Sequence, residues 1–515
     1  LKKPSFGSIV YGIYLDYNVT KFPKLMKNNI FWKGRDMIGR KEEKDYLLSL
    51  LEEDESQFVA VFGRRRVGKT YLIRETFSHS FTFQHTGLSN NDIEPRKRKE
   101  AQLNKFGESL KEAGYTGDAN FQSWNEAFNA LKEVIKQSKE KKKVIFIDEL
   151  SWMDTKDSGL ISALESFWNG WVTARPEKDV VLIICASATY WMIENIVNSK
   201  GGLHNRLTGQ IYLKPFTLHE CEEYLLSRKI LLNRHQILQC YMIMGGIPYY
   251  WSLLKKGKSL SQNIDDLFFK EGAVLSNEFE NIYAALFNKP DQYLKIVEAL
   301  SSVNRGITRD EICKLTGIPS SGELTRKLTE LEYCGFIRKY VPFGYKNNGI
   351  LYQLVDNYTL FYFQFLKNNV YNEGFWKELS NTPRVRSWSG VAFERVCLEH
   401  IPQIKAALGI AGVYTEINSW QCKRDDEKGI MGSQIDLLIV RKDQVINVCE
   451  MKYSESEYLV DAKFDRDQRR RISDFIKKTG TKSALHSTLI TTYSVVPNAY
   501  SEEIQSVITA DELFC

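Results

Sequence analysis

The segment from Gly63 to Thr70 has the residue types and the spacing that predict the most specific chemistry in this sequence. It reads Gly-Arg-Arg-Arg-Val-Gly-Lys-Thr and matches the pattern G-x-x-x-x-G-K-[ST] at every fixed position. In that pattern the glycines let backbone N–H groups point at phosphate oxygens, and the helix that follows adds partial positive charge. We therefore expect this loop to bind the phosphates of a nucleotide through Gly63, Arg64, Arg65, Arg66, Val67, Gly68, Lys69 and Thr70.

The last two residues of the loop and a later pair of acids have separate roles in this interpretation. Lys69 reaches the terminal phosphates, and the Thr70 hydroxyl is a ligand for Mg²⁺. The apolar residues Val144–Ile147 predict a buried strand that ends in Asp148 and Glu149. Alone, such a strand is more often structural. After a phosphate-binding loop, it places Asp148 at the metal and Glu149 where a carboxylate polarises the attacking water.

A second acidic pattern lies near the end of the chain. Asp436 is followed by thirteen residues and then by Glu450-Met-Lys452, which fits D-x(n)-E-x-K. Both carboxylates adjoin apolar segments, Ile435–Val440 and Val445–Met451, that predict a β-hairpin. Glu450 and Lys452 are two residues apart and therefore share one face of their strand.

The register of this hairpin decides whether the acidic cluster forms. If Asp436 pairs with Glu450, their side chains share a face, and a slip of one residue would separate them. The expected pairs beneath them are Leu438 with Val448 and Val440 with Ile446. Two such carboxylates would hold Mg²⁺ or Mn²⁺, and Lys452 would orient a metal-bound water. Glu394, in a helical pattern, is an additional candidate ligand.

A basic helical pattern follows the acidic one. Its cations could follow the phosphates of a nucleic-acid backbone, although a solvated basic face is the usual alternative. They are Arg466, Arg469, Arg470, Arg471 and Lys477.

The elements that position the first site form an α/β pattern. The segments Gln57–Phe62, Val144–Ile147 and Val180–Cys185 predict strands, and helical patterns separate them. Their continuous apolar character is typical of a parallel sheet that is covered on both faces. From residue 214 to residue 254 the pattern becomes helical.

Residues 291–360 have a different order of predicted helices and strands. Three short helices, at Tyr293–Leu300, Arg309–Leu315 and Glu323–Glu332, precede two strands, at Phe336–Val341 and Leu351–Val355. This is the order of a winged helix. In the third helix the apolar residues Leu324, Leu328 and Leu331 predict a buried stripe, and Arg326, Lys327 and Glu330 are expected to face outward. Because that outer face mixes charges, a lid or spacer is favoured over a helix that reads bases.

Residues 36–255 resemble the archaeal-type ATPase family, AAA+ relatives within the STAND-like branch. The resemblance rests on the segment Ile38–Glu43, the Gly63–Thr70 loop, the strand that ends at Glu149, and Gly245–Pro248. It implies that ATP is the nucleotide, that Ile38–Glu43 lies near the adenine and that Pro248 touches the base.

The same resemblance implies further roles. Ser187 or Thr189 stands where such ATPases keep a polar sensor of the γ-phosphate. Arg206 stands near the place of an arginine finger, with a surface salt bridge as an equal alternative. The family places a winged helix after the ATPase core. Residues 386–515 resemble the PD-(D/E)XK nuclease-type domain that accompanies it.

The expected organisation is therefore an N-terminal extension followed by four domains. The fold class is α/β, with an AAA+-like P-loop sheet and helical lid, a winged helix, and an α/β restriction-endonuclease-like domain. The expected ranges are 1–35 for the extension, 36–213 for the ATPase core, 214–289 for the lid, 290–382 for the winged helix and 383–515 for the nuclease-like domain.

Composition limits the class of protein. The 70 Lys and Arg exceed the 64 Asp and Glu by only 6, which permits a nucleic-acid partner without arguing for one. No apolar run approaches the roughly 20 residues that span a bilayer. The nine cysteines include no C-x-x-C pair, as expected for reduced thiols in a cytoplasmic enzyme.

Two hypotheses follow. In the first, ATP binding or hydrolysis gates a metal-dependent nuclease that acts on DNA. In the second, the chain is a STAND-like nucleotide switch whose C-terminal domain binds DNA or a protein without cutting. The presence of Asp436, Glu450 and Lys452 together favours the first. An arginine finger at Arg206 that acts in trans would require a homo-oligomer.

Overall fold

The computed structural model describes residues 37–89, 93–287, 289–345, 349–367, 374–380, 382–427 and 429–515. The expected N-terminal extension, residues 1–35, lies outside these ranges. Within them, no helix combines the length and the apolar character needed to cross a membrane.

The strands belong to three sheets. They are β1 Gln57–Phe62, β2 Phe83–Thr86, β3 Lys143–Asp148, β4 Val180–Ala186, β5 Gly209–Tyr212, β6 Ile337–Tyr340, β7 Leu351–Leu354, β8 Thr415–Cys422, β9 Ser433–Arg441, β10 Val445–Lys452, β11 Ala484–Thr491 and β12 Ser506–Thr509.

Helices flank these sheets. In the first 290 residues they are Lys41–Ser49, Lys69–Thr76, Arg98–Glu112, Trp124–Gln137, Leu150–Met153, Leu160–Phe167, Thr189–Met192, Leu218–Ser227, Arg234–Met244, Pro248–Ser252, Leu260–Ile264 and Glu278–Leu286. After them come Asp291–Ser301, Arg309–Thr316, Gly322–Tyr333, Asn357–Phe361, Phe375–Leu379, Pro383–Glu399, Ile401–Ala407 and Ala462–Thr479.

The first sheet is parallel and has the order β2-β3-β4-β1-β5. The predicted strands β1, β3 and β4 are confirmed. Side chains alternate between two cores: Val59 and Val61 of β1 enter one, and Phe58 and Ala60 enter the other. Because both faces are covered, these strands are continuously apolar and could be predicted. β2 was not predicted, since its exposed residues alternate with buried ones.

Residues 291–367 form what we call the middle unit. The predicted helices and strands occur there in the predicted order, and β6 pairs with β7 in antiparallel fashion. The third helix, Gly322–Tyr333, packs on the ATPase side, where the rings of Tyr333 and Tyr190 lie 6.0 Å apart. This packing fits the lid or spacer interpretation. The winged-helix assignment itself stays a prediction.

One detail of that third helix was predicted wrongly. Its apolar stripe is buried as expected, but Lys327 and Glu330 are buried too and do not face outward. The Lys327 ammonium lies 5.3 Å from the ring centre of Tyr293 and pairs with Glu323. Glu330 accepts a hydrogen bond from the Tyr293 hydroxyl. Tyr293, from the first helix of the unit, thus contacts two charged residues of the third helix, which the spacing within one helix cannot reveal.

The last sheet has the order β12-β11-β10-β9-β8. β8, β9 and β10 are antiparallel to one another, whereas β11 and β12 run parallel to β10. The predicted hairpin is confirmed in its register. Leu438 lies opposite Val448, and Val440 lies opposite Ile446.

Candidate nucleotide site and C-terminal acidic site

The predicted phosphate loop joins β1 to the helix Lys69–Thr76. Gly63 and Gly68 have φ angles of 146° and 92°, which only glycine adopts easily. A Cβ on Gly63 would lie 2.3 Å from the carbonyl oxygen of Leu213. Glycine is therefore required for the close approach of the loop to this backbone.

Lys69 and Thr70 occupy the start of that helix. Lys69 is 5% exposed, and its Nζ donates hydrogen bonds to the carbonyl oxygens of Gly63, at 2.9 Å, and Arg64, at 3.0 Å. The Thr70 hydroxyl donates to Oδ2 of Asp148 at 2.6 Å. The two predicted Mg²⁺ ligands are thus in direct contact. A hydroxyl and a carboxylate are the hard oxygen donors that suit Mg²⁺ beside nucleotide phosphates.

Glu149 and Ser187 meet at the same edge of the sheet, because β3 and β4 are adjacent parallel strands. The Ser187 hydroxyl donates to Oε1 of Glu149 at 2.7 Å, and the Ser187 backbone N–H donates to Oε2 at 3.3 Å. Of the two candidate sensor residues, Ser187 therefore contacts the site. Its partner in this structure is the candidate base, and any contact with a γ-phosphate stays a prediction. Thr189 is fully buried at the start of the helix Thr189–Met192.

Two of the three arginines of the loop pair with acidic residues outside it. Arg64 forms a buried ion pair with Asp356 of the middle unit. Arg66 pairs with Glu278 at 2.8 Å, and its guanidinium lies 4.2 Å from the ring centre of Tyr249. Although burial alone would lower it, the pKa of Arg64 is raised by the charge of Asp356. Sequence reasoning missed these pairs because Asp356 is 292 residues away from Arg64.

The two segments expected around the adenine both contact the chain after β5. Arg40 donates from Nη2 to the carbonyl oxygen of Lys214 at 2.5 Å and stacks over Phe216 at 4.9 Å. Gly246 accepts a hydrogen bond from the backbone N–H of Phe216 at 2.6 Å. Pro248 begins the helix Pro248–Ser252 directly after it. The structure thus brings the two segments together, while the contact of Pro248 with a base stays a prediction.

Arg206 lies on the surface before β5. Its backbone N–H closes a turn to the carbonyl oxygen of Leu203 at 3.1 Å, and its side chain is exposed. Within the described ranges, the ion pairs of the chain do not include Arg206. The salt-bridge alternative thus gains no support from the described residues.

The C-terminal carboxylates Asp436, Glu450 and Glu394 influence one another through their charges. The last pair of the hairpin register is Leu437 with Cys449, and Asp436 and Glu450 are the next residues on the two strands. Extending the register by one pair places Asp436 opposite Glu450, with both side chains on one face of the sheet. Burial, together with the negative charges of Asp436 and Glu450, raises the pKa of Glu394 to about 7, although the positive charges of Arg395 and Lys452 oppose this shift. Glu394 and Asp436 also line one cavity of about 400 Å³.

Cations compensate one of these carboxylates. Glu450 pairs with Lys452 at 2.7 Å and with Arg471 at 2.5 Å. Although burial opposes it, the charge of Glu450 raises the pKa of Lys452, which keeps its ammonium protonated. Among the described residues, no three His, Cys, Asp or Glu side chains are gathered as a ready metal centre. The donor types suit Mg²⁺ or Mn²⁺, but a metal would compete with Lys452 and Arg471 for Glu450.

The predicted basic face, on the helix Ala462–Thr479, is largely engaged within the protein. Arg469 pairs with Asp465 at 2.9 Å, Arg470 pairs with Asp467 at 3.2 Å, and Lys477 donates to the carbonyl oxygen of Gly429 at 3.2 Å. These contacts favour the alternative of a solvated basic face over a track for phosphates.

Comparisons with known proteins agree with the first site. Residues 37–254 match the family described as an ATPase domain predominantly from Archaea. An uncharacterized protein of Methanocaldococcus jannaschii is 24% identical over 447 residues, which are 86% of this chain and 91% of that protein.

Two solved structures are similar to this chain at low sequence identity. The Walker-type ATPase of Pyrococcus abyssi has a TM-score of 0.46 at 16% identity and covers 64% of this chain and 98% of its own. The ORC2 protein of Aeropyrum pernix, solved with ADPNP and ADP, has a TM-score of 0.41 at 13% identity and covers 72% and 98%. From the family match and the geometry of the phosphate loop, residues 37–254 are an ATPase domain of the archaeal type.

Proposed function

We propose that this protein hydrolyses ATP with Mg²⁺ and couples the nucleotide state to metal-dependent cleavage of DNA at its C-terminal carboxylates. The observation that carries the ATPase half of the proposal is the contact of Thr70 with Asp148 at 2.6 Å, beside Lys69 and Glu149. In one domain, this contact joins a phosphate-binding loop to a metal-binding acid and a candidate base.

Each residue of the first site has a distinct part in hydrolysis. Lys69 exchanges its hydrogen bonds to loop carbonyl oxygens for hydrogen bonds to the terminal phosphates of ATP. The phosphates are charged acceptors, so these bonds are stronger than those to neutral carbonyl oxygens. Thr70 and Asp148 hold Mg²⁺, which when bound neutralises charge on the phosphates. Glu149 accepts a proton from the attacking water, and Ser187 fixes the orientation of its carboxylate.

At the C-terminal site, Asp436, Glu450 and Glu394 would hold a divalent metal that supplies a water of lowered pKa. Lys452 stays protonated beside Glu450, so it serves to orient that water or to neutralise the scissile phosphate. What supports this half of the proposal is the shared cavity of Glu394 and Asp436 and the hairpin register.

The test is a cleavage assay with purified full-length protein on supercoiled, linear and single-stranded DNA, with and without ATP, Mg²⁺ and Mn²⁺. We expect Asp436→Asn and Lys452→Ala to lose cleavage while their ATPase rates stay at the wild-type level, because the two sites are separate. Lys69→Ala should lose ATP binding and the effect of ATP on cleavage. The matched control is Lys442→Ala, a lysine beside the same hairpin, which should change neither activity.

A second candidate function, the nucleotide switch, is favoured by one specific observation. The phosphate loop is tied by Arg64 to Asp356 and by Arg66 to Glu278, so nucleotide binding can be transmitted to the middle unit and the lid. Under this alternative, wild-type protein would bind DNA or a partner in an ATP-dependent way and would cleave none of the substrates in either metal.

A further inference from the structure

The cavity beside the C-terminal carboxylates has a wall from a distant part of the chain. Glu394 and Asp436 line one side, together with Val391 and Gln434, and the middle-unit loop Val303–Arg305 also lines it. Its volume of about 400 Å³ is within the range of small-molecule pockets, about 300–1,000 Å³. The C-terminal domain alone therefore does not enclose the space in front of its own carboxylates.

The loop is held firmly in this position. The carbonyl oxygen of Asn304 accepts hydrogen bonds from Nη2 of Arg395, at 2.6 Å, and from Nε2 of Gln353, at 2.8 Å. Arg395 is buried, follows Glu394 directly in sequence and lies 3.8 Å from its carboxylate. The same arginine thus fixes the loop against the helix that carries a candidate metal ligand.

Arg305 is the cation that this loop adds to the cavity. Its guanidinium pairs with Glu311 at 2.7 Å, donates to the carbonyl oxygen of Gly306 at 3.1 Å and remains 45% exposed, so it is accessible to a ligand. The nearby cations Lys452 and Arg471 are both engaged by Glu450. An arginine that lines one cavity with two acidic residues suits a ligand that carries an anionic group and also binds a metal ion. A phosphodiester has this chemistry.

We propose that Arg305 is the phosphate-binding residue of a composite site, where it holds the phosphodiester of a nucleic-acid strand while Glu394 and Asp436 hold the metal. The inference rests on the proposed nuclease function and adds the middle unit to that site. It gives the contact between the middle unit and the C-terminal domain a direct role in binding substrate.

The experiment measures binding of a fluorescent single-stranded oligodeoxynucleotide to full-length protein in Ca²⁺, by anisotropy, over a series of salt concentrations. Arg305→Ala should weaken binding roughly tenfold or more, as expected for a hydrogen bond to a charged group. The slope of log affinity against log salt should fall by about 0.7, because one phosphate contact is lost. Arg305→Lys should restore part of the affinity, and Mn²⁺ binding should be retained in both variants.

Two controls separate phosphate binding from a structural role. Glu311→Gln breaks the ion pair of Arg305 but keeps the guanidinium, so binding should be retained. Arg326→Ala removes an exposed arginine of the same unit that pairs with Glu330 at 3.2 Å, and it should have no effect.

Wild-type affinity and salt slope in Arg305→Ala would overturn the inference, and so would an equal loss in Glu311→Gln. Failure of the wild type to bind the strand would overturn it as well. A wild type that shows the Arg305 effect but never cleaves DNA in Mg²⁺ or Mn²⁺ would support this inference and contradict only the nuclease proposal.

Discussion

Ser187 donates two hydrogen bonds to Glu149, and this contact sets the orientation of the carboxylate that we assign as the base. Glu149 itself has a φ of 51°, a left-handed conformation that is uncommon for a residue with a side chain. Its backbone N–H donates to Oδ1 of Asp148 at 2.9 Å. The two acids and the serine thus form one hydrogen-bonded group, in which orientation depends on the neighbouring strand.

At this scale we expect Glu149→Gln to bind ATP normally and to lose turnover, because an amide does not accept the proton of the attacking water. Ser187→Ala should keep the KM for ATP and lower kcat by about tenfold, since the carboxylate loses its neutral hydroxyl donor. Steady-state ATPase assays measure both constants. Ser158→Ala, a buried serine on a loop of the same domain, is the control. An unchanged kcat in Ser187→Ala would remove Ser187 from the mechanism.

Among the elements, the helix Gly322–Tyr333 carries a titratable group with an unusual environment. Burial raises the pKa of Glu332 to about 7, and the charge of Lys339 offsets this only in part. A carboxyl whose pKa is raised in the folded state favours folding at low pH, and that contribution is lost as pH rises through the folded pKa. The relevant pH window lies between the ordinary glutamate pKa of 4.5 and the folded-state pKa of about 7.

We therefore expect Glu332→Gln to raise the melting temperature by a few degrees at pH 8 and to change it little at pH 4.5. Glu323→Gln, on the same helix, is the matched control, because the pKa of Glu323 is shifted in the opposite direction. The hydrogen bond from Lys327 lowers the pKa of Glu323. Replacing Glu323 by Gln should therefore not raise the melting temperature at either pH. Thermal denaturation at several pH values measures the melting temperature of each variant relative to the wild type. A pH-independent effect of Glu332→Gln would contradict the assignment.

The connection between the phosphate loop and the middle unit is also an element-scale feature. Asp356 pairs with Arg64 and caps the helix Asn357–Phe361 by accepting from the backbone N–H of Thr359 at 2.9 Å. Asp356→Asn keeps an acceptor for this cap but leaves a buried guanidinium without its charge partner. We expect it to destabilise the protein by about 3–5 kcal/mol, as breaking buried ion pairs usually does.

A double-mutant cycle tests this pairing. Arg64→Met combined with Asp356→Asn should be less destabilised than the sum of the single variants, by at least about 1 kcal/mol. Denaturation in urea measures the free energy of unfolding. Asp465→Asn, which breaks an exposed pair with Arg469, should cost at most about 1 kcal/mol. Additive effects at Arg64 and Asp356 would show that the two residues act independently.

For the whole molecule, local patterns were enough to predict the first sheet and the C-terminal hairpin. Continuous apolar runs predicted β1, β3 and β4, and the apolar segments Ile435–Val440 and Val445–Met451 predicted the hairpin of β9 and β10. Contacts between distant segments could not be predicted in this way. The pairing of Arg64 with Asp356 and the placement of Arg305 in the cavity depend on how separate units pack. No spacing in one segment encodes that packing.

The long helix Pro383–Glu399 shows how these distant contacts are organised. Glu394 faces the C-terminal cavity, and Arg395 holds the middle-unit loop. Directly after the helix, His400 accepts a hydrogen bond at 3.1 Å from the backbone N–H of Leu218, which begins the helix Leu218–Ser227 in the range predicted for the lid. One helix thus contacts the lid, the middle unit and the acidic site. It is the element through which we expect a change at the nucleotide to reach the C-terminal domain.

The last prediction concerns contacts between molecules. Because the Arg206 side chain is exposed before β5, it is available to a nucleotide bound by a second copy of the chain. If it acts in this way, the ATPase rate per chain should rise with protein concentration, and Arg206→Ala should flatten that rise while ATP binding is retained. Arg228→Ala, at an exposed arginine stacked on Tyr224 at 5.8 Å, should behave as the wild type. A rate that is independent of concentration in the wild type would confine hydrolysis to single chains, with Arg206 outside the reaction.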